Sequence, residues 1–114
     1  MKSLGIVLIA ASILTACNKE ERLCYLYAVN QDTIRLRITI ADKAVNGSLI
    51  YNFYEKDRNI GTIRGTHSGD TIRAEYEFRS EGMTSTREVI FLKKKKSLID
   101  LGSGGLELDE ISCN

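Results

Sequence analysis

An all-β fold is predicted by this sequence: an antiparallel up-and-down meander of about eight strands, forming a small barrel or a strongly twisted sheet. Three observations predict it. Apolar and polar residues alternate with a period of two over long stretches, clusters of turn-forming residues separate those stretches at nearly even spacing, and no segment of about ten residues carries a helical period. Composition agrees. The chain has no proline, five Tyr and three Phe, and its many Ile, Val and Thr are types that fit a pleated, half-buried surface.

The first strand is Tyr-rich, Cys24-Tyr25-Leu26-Tyr27. In residues 33–40 the alternation is strict, so Ile34, Leu36, Ile38 and Ile40 share one face while Arg35 and Arg37 face water. Residues 47–54 direct Leu49, Tyr51 and Phe53 inward, and residues 59–67 place Ile63 between Gly61 and Gly65, glycines that mark bends or close backbone approach. Residues 71–79 repeat the pattern with Ile72, Ala74, Tyr76 and Phe78 inside. Their outer face, Arg73, Glu75, Glu77 and Arg79, is placed for weak pairing with neighbouring strands. Residues 86–93, with Val89, Ile90, Phe91 and Leu92, continue the series, and weaker strands follow at 98–101 and 106–108. Turns fall at Asn30-Gln31-Asp32, residues 55–59, Ser68-Gly69-Asp70 and Ser80-Glu81-Gly82. The inward set is mostly large, which predicts a filled interior.

A different grammar governs the amino terminus. Met1 and Lys2 give a short positive head, residues 4–14 are uncharged and largely apolar, and small residues follow, the layout of an export signal. Such a run spans about 17 Å as a helix, against a hydrocarbon core of ~30 Å, so it is too short for a permanent span. Leu14-Thr15-Ala16-Cys17 resembles the lipobox of bacterial lipoproteins. That resemblance implies lipid attachment to the Cys17 sulfur, cleavage between Ala16 and Cys17, and a membrane held through the anchor, because two or three acyl chains bind firmly where one does not. The expected organisation is a signal peptide over 1–16, a lipidated linker over 17–22 and a β-barrel-like domain over 23–114.

Asn18 differs from the Asp that favours inner-membrane retention in enterobacterial lipoproteins, so outer-membrane sorting is expected. Cys17-Asn18-Lys19-Glu20-Glu21 resembles the surface-export signal of Bacteroidetes lipoproteins, which implies cell-surface exposure; a solvated linker is the alternative. More broadly, Cys24-Tyr25-Leu26-Tyr27 and Tyr54-Glu55-Lys56-Asp57 followed by Gly61-Thr62-Ile63 are similar to small β-rich outer-membrane lipoproteins of that group. The resemblance implies a fold and no activity.

With Cys17 taken by lipid, Cys24 and Cys113 remain. A bond between them would join the two ends of the domain in an oxidising compartment; free thiols, or a disulfide to a partner, are the alternative. Asp32-Thr33-Ile34-Arg35 recurs as Asp70-Thr71-Ile72-Arg73. Shared hairpin grammar explains the repeat, although Asp-Thr-Ile also resembles the O-glycosylation tripeptide of exported Bacteroidetes proteins, which would place glycans on Thr33 and Thr71.

Function classes narrow further. The formal charge is +1, and removal of residues 1–16 takes away Lys2 and leaves a neutral chain, a poor nucleic-acid binder. The lysine run at residues 93–96 reads as a solvated turn. No catalytic constellation, cofactor or metal site is expected: His67 is the single histidine, beside a turn, the carboxylates are distributed over outer strand faces, and ligand spacing is absent. The expectation is a non-catalytic binding or interaction domain on a membrane anchor, with an unknown protein or glycan partner. A lysozyme-inhibitor-like envelope protein is one alternative, although the Ser-Gly-x-x-Tyr loop of that family is replaced here by Ser80-Glu81-Gly82-Met83-Thr84. A lipocalin-like carrier is the other.

Overall fold

The computed structural model describes residues 19–114. The lipobox, Asn18 and the apolar run before them lie outside the described residues. Eight antiparallel strands follow one another around a closed barrel: β1 (Glu20–Val29), β2 (Asp32–Ala41), β3 (Ala44–Asn52), β4 (Asn59–Ser68), β5 (Thr71–Ser80), β6 (Met83–Lys93), β7 (Ser97–Asp100) and β8 (Leu106–Ile111), with a 3₁₀ turn at Leu101–Ser103 between the last two. The predicted meander is therefore closed, and every strand pairs with its sequence neighbours.

Tight turns set the register. Val29 pairs with Asp32, Ala41 with Ala44, Ser68 with Thr71 and Ser80 with Met83. At the β5–β6 turn, Glu81 and Gly82 have φ of 54° and 78°, the positive values that let a two-residue turn follow the twist of its strands. These turns extend three strands beyond the stretches the alternation marks. β6 opens at Met83 instead of Thr86, because pairing runs to the turn even where side chains are exposed, and β3 opens at Ala44 instead of Gly47, because Val45 carries the inward face back to the turn. β1 opens at Glu20, inside the stretch assigned to the linker, because Glu20, Glu21 and Arg22 pair with Ala41, Ile40 and Thr39.

Inward positions carry the core. Tyr25, Ile34, Leu36, Ile38, Val45, Leu49, Ile72, Tyr76, Val89, Phe91, Leu98 and Leu108 are buried in a single cluster, each large aliphatic or aromatic side chain contributing about 1.5–3 kcal/mol. Two glycines show how the wall bends. A methyl group at Gly61 would meet the Glu77 carbonyl oxygen, and one at Gly65 the Arg73 carbonyl oxygen, far inside contact distance. Strands β4 and β5 close on one another where β4 turns its inward face without a side chain.

The last strands close the wall only partly. β7 pairs with β6 through Phe91, Leu92 and Lys93 alone, and β8 with β1 through Cys24, Leu26 and the residue between them. Beside that short seam Cys24 is bonded to Cys113, with their Cα atoms 5.3 Å apart, inside the usual disulfide range. The bond spans 89 residues. In a Cys24→Ser, Cys113→Ser double variant, urea unfolding should show a loss of about 4 kcal/mol, and amide exchange should accelerate first in β1 and β8. An unchanged unfolding midpoint would remove the seam from the account of stability.

Candidate functional site

The meander gives the barrel two unlike ends. At the near end lie Lys19, the start of β1, the turn at Asp42 and Lys43, the Gly69-Asp70 turn, the lysine run at 93–96 and the carboxyl terminus. At the distal end lie the Asn30-Gln31 turn, the loop between Asn52 and Asn59, the Glu81-Gly82 turn and the 3₁₀ turn. The exposed large apolar residues are unevenly shared: Val29, Tyr54, Ile60, Met83 and Leu101 belong to the distal end, and Ile111 to the near end.

Within the distal half, a polar knot occupies inward positions. Asp100 ends β7 and is 0% exposed. Its carboxylate accepts from the Tyr51 hydroxyl at 2.5 Å, the Ser103 hydroxyl at 2.8 Å and the Gly102 N–H at 3.1 Å. The Gly105 N–H donates to its backbone carbonyl at 3.1 Å. One buried carboxylate thus fixes the connection between β7 and β8 to β3 on the other side of the barrel. Tyr76, fully buried, donates to the Leu49 and Asn59 carbonyls at 2.8 and 3.1 Å, and its ring stacks on Phe78 with centroids 4.7 Å apart.

Arg87 enters the same space. It lies opposite Tyr76 in the β5–β6 register, and its guanidinium carbon is 5.2 Å from the Tyr51 ring centre and 5.7 Å from that of Tyr76, a cation–π geometry. A methyl group at Gly102 would lie 3.5 Å from its Nη1, so the guanidinium rests against the 3₁₀ turn. Among the described residues the one ion pair is Arg73–Glu88 on the outer wall, 3.9 Å and exposed at both ends; Arg87 has none. Burial pushes the Tyr51 phenol far above its ordinary range, with the Asp100 charge adding to the rise and Arg87 opposing it. Tyr76 is raised by burial against the same opposition. Burial, with Glu110 and Glu21 assisting, pushes Tyr25 up to about 12.

Beside Arg87 the wall is open. Lys93 N–H donates to the Asp70 carbonyl on the β5 side, whereas Lys94 N–H donates to the Ser97 carbonyl on the β7 side. By strict alternation, the backbone groups of Thr84, Thr86 and Glu88 point toward the β7 side, beyond the last β6–β7 pair at Phe91. Among the described residues no backbone bond reaches them from that side. The notch so formed has β6 on one side, the end of β1 on the other and the 3₁₀ turn as its floor. Met83, Val29 and Leu101, exposed by 71%, 47% and 46%, stand one on each of these three borders.

The sequence-derived sites are placed as follows. Cys24 and Cys113 are brought together by the β1–β8 seam. Lys19 and Glu20 are exposed at the near end, with Glu21 beside them. Thr33 and Thr71 are half-buried on outward positions at opposite ends. His67 lies in β4 beside the Gly69-Asp70 turn, on an inward position at the near rim beside Glu21, Ile40 and Asp42. One expectation is corrected: the carboxylates are not confined to outer faces, because Asp100 is buried among three donors. Alternation carried past the apolar residues shows why it was missed. Counting back from Val89 and Phe91 puts Arg87 inside, and counting on from Leu98 puts Asp100 inside.

The fold and site define a closed eight-stranded up-and-down barrel with a polar knot in its distal half, an architecture used by lipocalin-like carriers and by other binding domains. Comparison with protein families, curated proteins and solved structures found no match.

Removing one donor from the knot leaves the carboxylate buried and short of a partner. Tyr51→Phe should therefore lose about 1–3 kcal/mol in denaturant unfolding, and Asp100→Ala should lose more, since three donors are stranded at once. The three raised phenols also fix an alkaline limit. Their contribution is complete below the ordinary phenol range near pH 10 and is lost as pH rises from there through the folded values, so stability should fall steadily above about pH 10. Tyr51→Phe should fall less steeply, and equal slopes would show that Tyr51 ionises freely in the fold.

Proposed function

We propose that the chain is a lipid-anchored protein of the bacterial envelope whose barrel is a non-catalytic binding module, meeting its partner with the end remote from the anchor. The observation that carries this reading is the opposition of the two ends. The chain enters the barrel at Lys19, two residues after Cys17, and the exposed Val29, Tyr54, Ile60, Met83 and Leu101 gather at the other end. A lipid on Cys17 would hold the near end at the bilayer and present the apolar end to whatever faces the membrane.

Binding is favoured over catalysis by the state of the polar groups. The buried carboxylate of Asp100 is occupied by three donors, and the single histidine lies at the opposite rim. Binding at the distal surface is favoured over internal carriage because Tyr25, Tyr76 and Phe91 occupy the barrel interior. Lys19, Glu20 and Glu21 lie exposed or at the rim of the near end, where an export receptor would meet them.

Two measurements test the anchor and its address. Labelled palmitate should enter the protein in producing cells and be lost in Cys17→Ser. Protease treatment of intact cells should then remove the folded domain and leave the Cys17 peptide in the membrane. Absence of label would overturn the anchor, and protection of the domain until the outer membrane is broken would overturn surface display.

A further inference from the structure

The open edge of β6 and the guanidinium beside it carry an inference that rests on the distal end being a recognition surface, though not on the lipid anchor. We propose that a partner protein docks here by strand addition. An extended segment of that partner pairs with β6 along Thr84, Thr86 and Glu88, and directs inward an acidic side chain, flanked at every second position by apolar ones, onto Arg87.

Backbone geometry supplies the first reason. Thr84, Thr86 and Glu88 turn their N–H and C=O groups to the side where β7 has already ended, and an unpaired row of this kind is a template for another strand. From Met83 to Glu88 the edge is about 20 Å long, enough for a short extended segment. Its side chains would alternate between solvent and barrel mouth.

Period and charge supply the second. The residue set opposite Arg87 would occupy a position without direct backbone bonds, where paired side chains approach most closely. There it would meet a guanidinium lying over two phenol rings that meet edge to face and lacking any carboxylate partner among the described residues. Asp100 does not use up that cation, since its oxygens accept from Tyr51, Ser103 and Gly102. A carboxylate matches the guanidinium fork in shape and sign. Residues two positions before and after it would lie along the mouth that Val29, Met83 and Leu101 border, which calls for apolar side chains.

A second copy of the chain fits less well. Pairing β6 with another β6 would bring a second Arg87 to the inward face and no inward acid, because Glu88 alternates outward.

The test pans a displayed library of random short peptides against the full-length protein. Recovered sequences should carry Asp or Glu with apolar residues two positions away. Their binding should slow exchange at the Thr84, Thr86 and Glu88 amides, which should exchange rapidly in the free protein. Arg87→Gln, checked for folding by its unfolding midpoint, should weaken the selected peptides at least about tenfold and abolish the acid preference on reselection. Peptides without that preference, indifferent to Arg87→Gln, would overturn the inference. If they were lost instead in a Tyr54→Ser, Ile60→Ser variant, the distal surface would stand as a recognition site and strand addition would fall. No enrichment would sink both, and a dimer protecting the same amides would replace the peptide partner with a second copy.

Discussion

Closure of the barrel by two short strands is the constraint on which the rest of the structure depends. Seven of the eight hairpin relations come from chain continuity, but the β1–β8 contact joins residues at opposite ends of the domain and gains nothing from locality. It is also short. Two devices hold it from either side: the Cys24–Cys113 bond on the outer wall, and the Asp100 knot, which pins the connection between β7 and β8 to Tyr51 across the interior. A covalent link limits how far the ends separate on unfolding, whereas a buried carboxylate with three donors specifies where the closing hairpin sits.

The same shortness creates the feature with most functional interest. Had β7 and β8 matched the length of their neighbours, no backbone edge would remain and Arg87 would be sealed inside. Because β7 stops at Asp100, four residues of wall close the near half and leave β6 uncovered beyond Phe91. Exposed edges invite unwanted pairing. Here the invitation is limited by polar outward residues, Thr84, Thr86 and Glu88, and by an inward cation that rejects an all-apolar or basic strand. An edge guarded by a charge selects among partners instead of accepting any of them.

Much of the fold was legible in the sequence because a period of two leaves little freedom. The runs from Ile34 to Ile40 and from Ile72 to Phe78 fix which face is buried, and the turn residues between them fix antiparallel order. Closure was less legible, since a meander and a barrel share the same alternation and differ only in whether the first and last strands meet. The start of β6 at Met83 is hard to read because pairing persists there without burial, and that of β3 because Val45 is a lone inward apolar residue ahead of Gly47. The candidate site was hardest to see. Arg87 and Asp100 interrupt the apolar face at positions where polar residues read as solvent-facing, and only three-dimensional placement shows that they stand beside Tyr51 and Tyr76.

Those two interruptions also explain one another. A buried carboxylate beside an arginine would ordinarily be expected to form an ion pair, which satisfies both groups and leaves nothing for a ligand. In this barrel the hydroxyls of Tyr51 and Ser103 and the Gly102 N–H take the Asp100 oxygens, and the guanidinium is held instead by the faces of Tyr51 and Tyr76. Ring faces attract the cation without consuming its N–H donors. Tyr51 therefore acts twice, with its hydroxyl on the acid and its ring on the base, and by separating them it keeps Arg87 able to receive a carboxylate from outside.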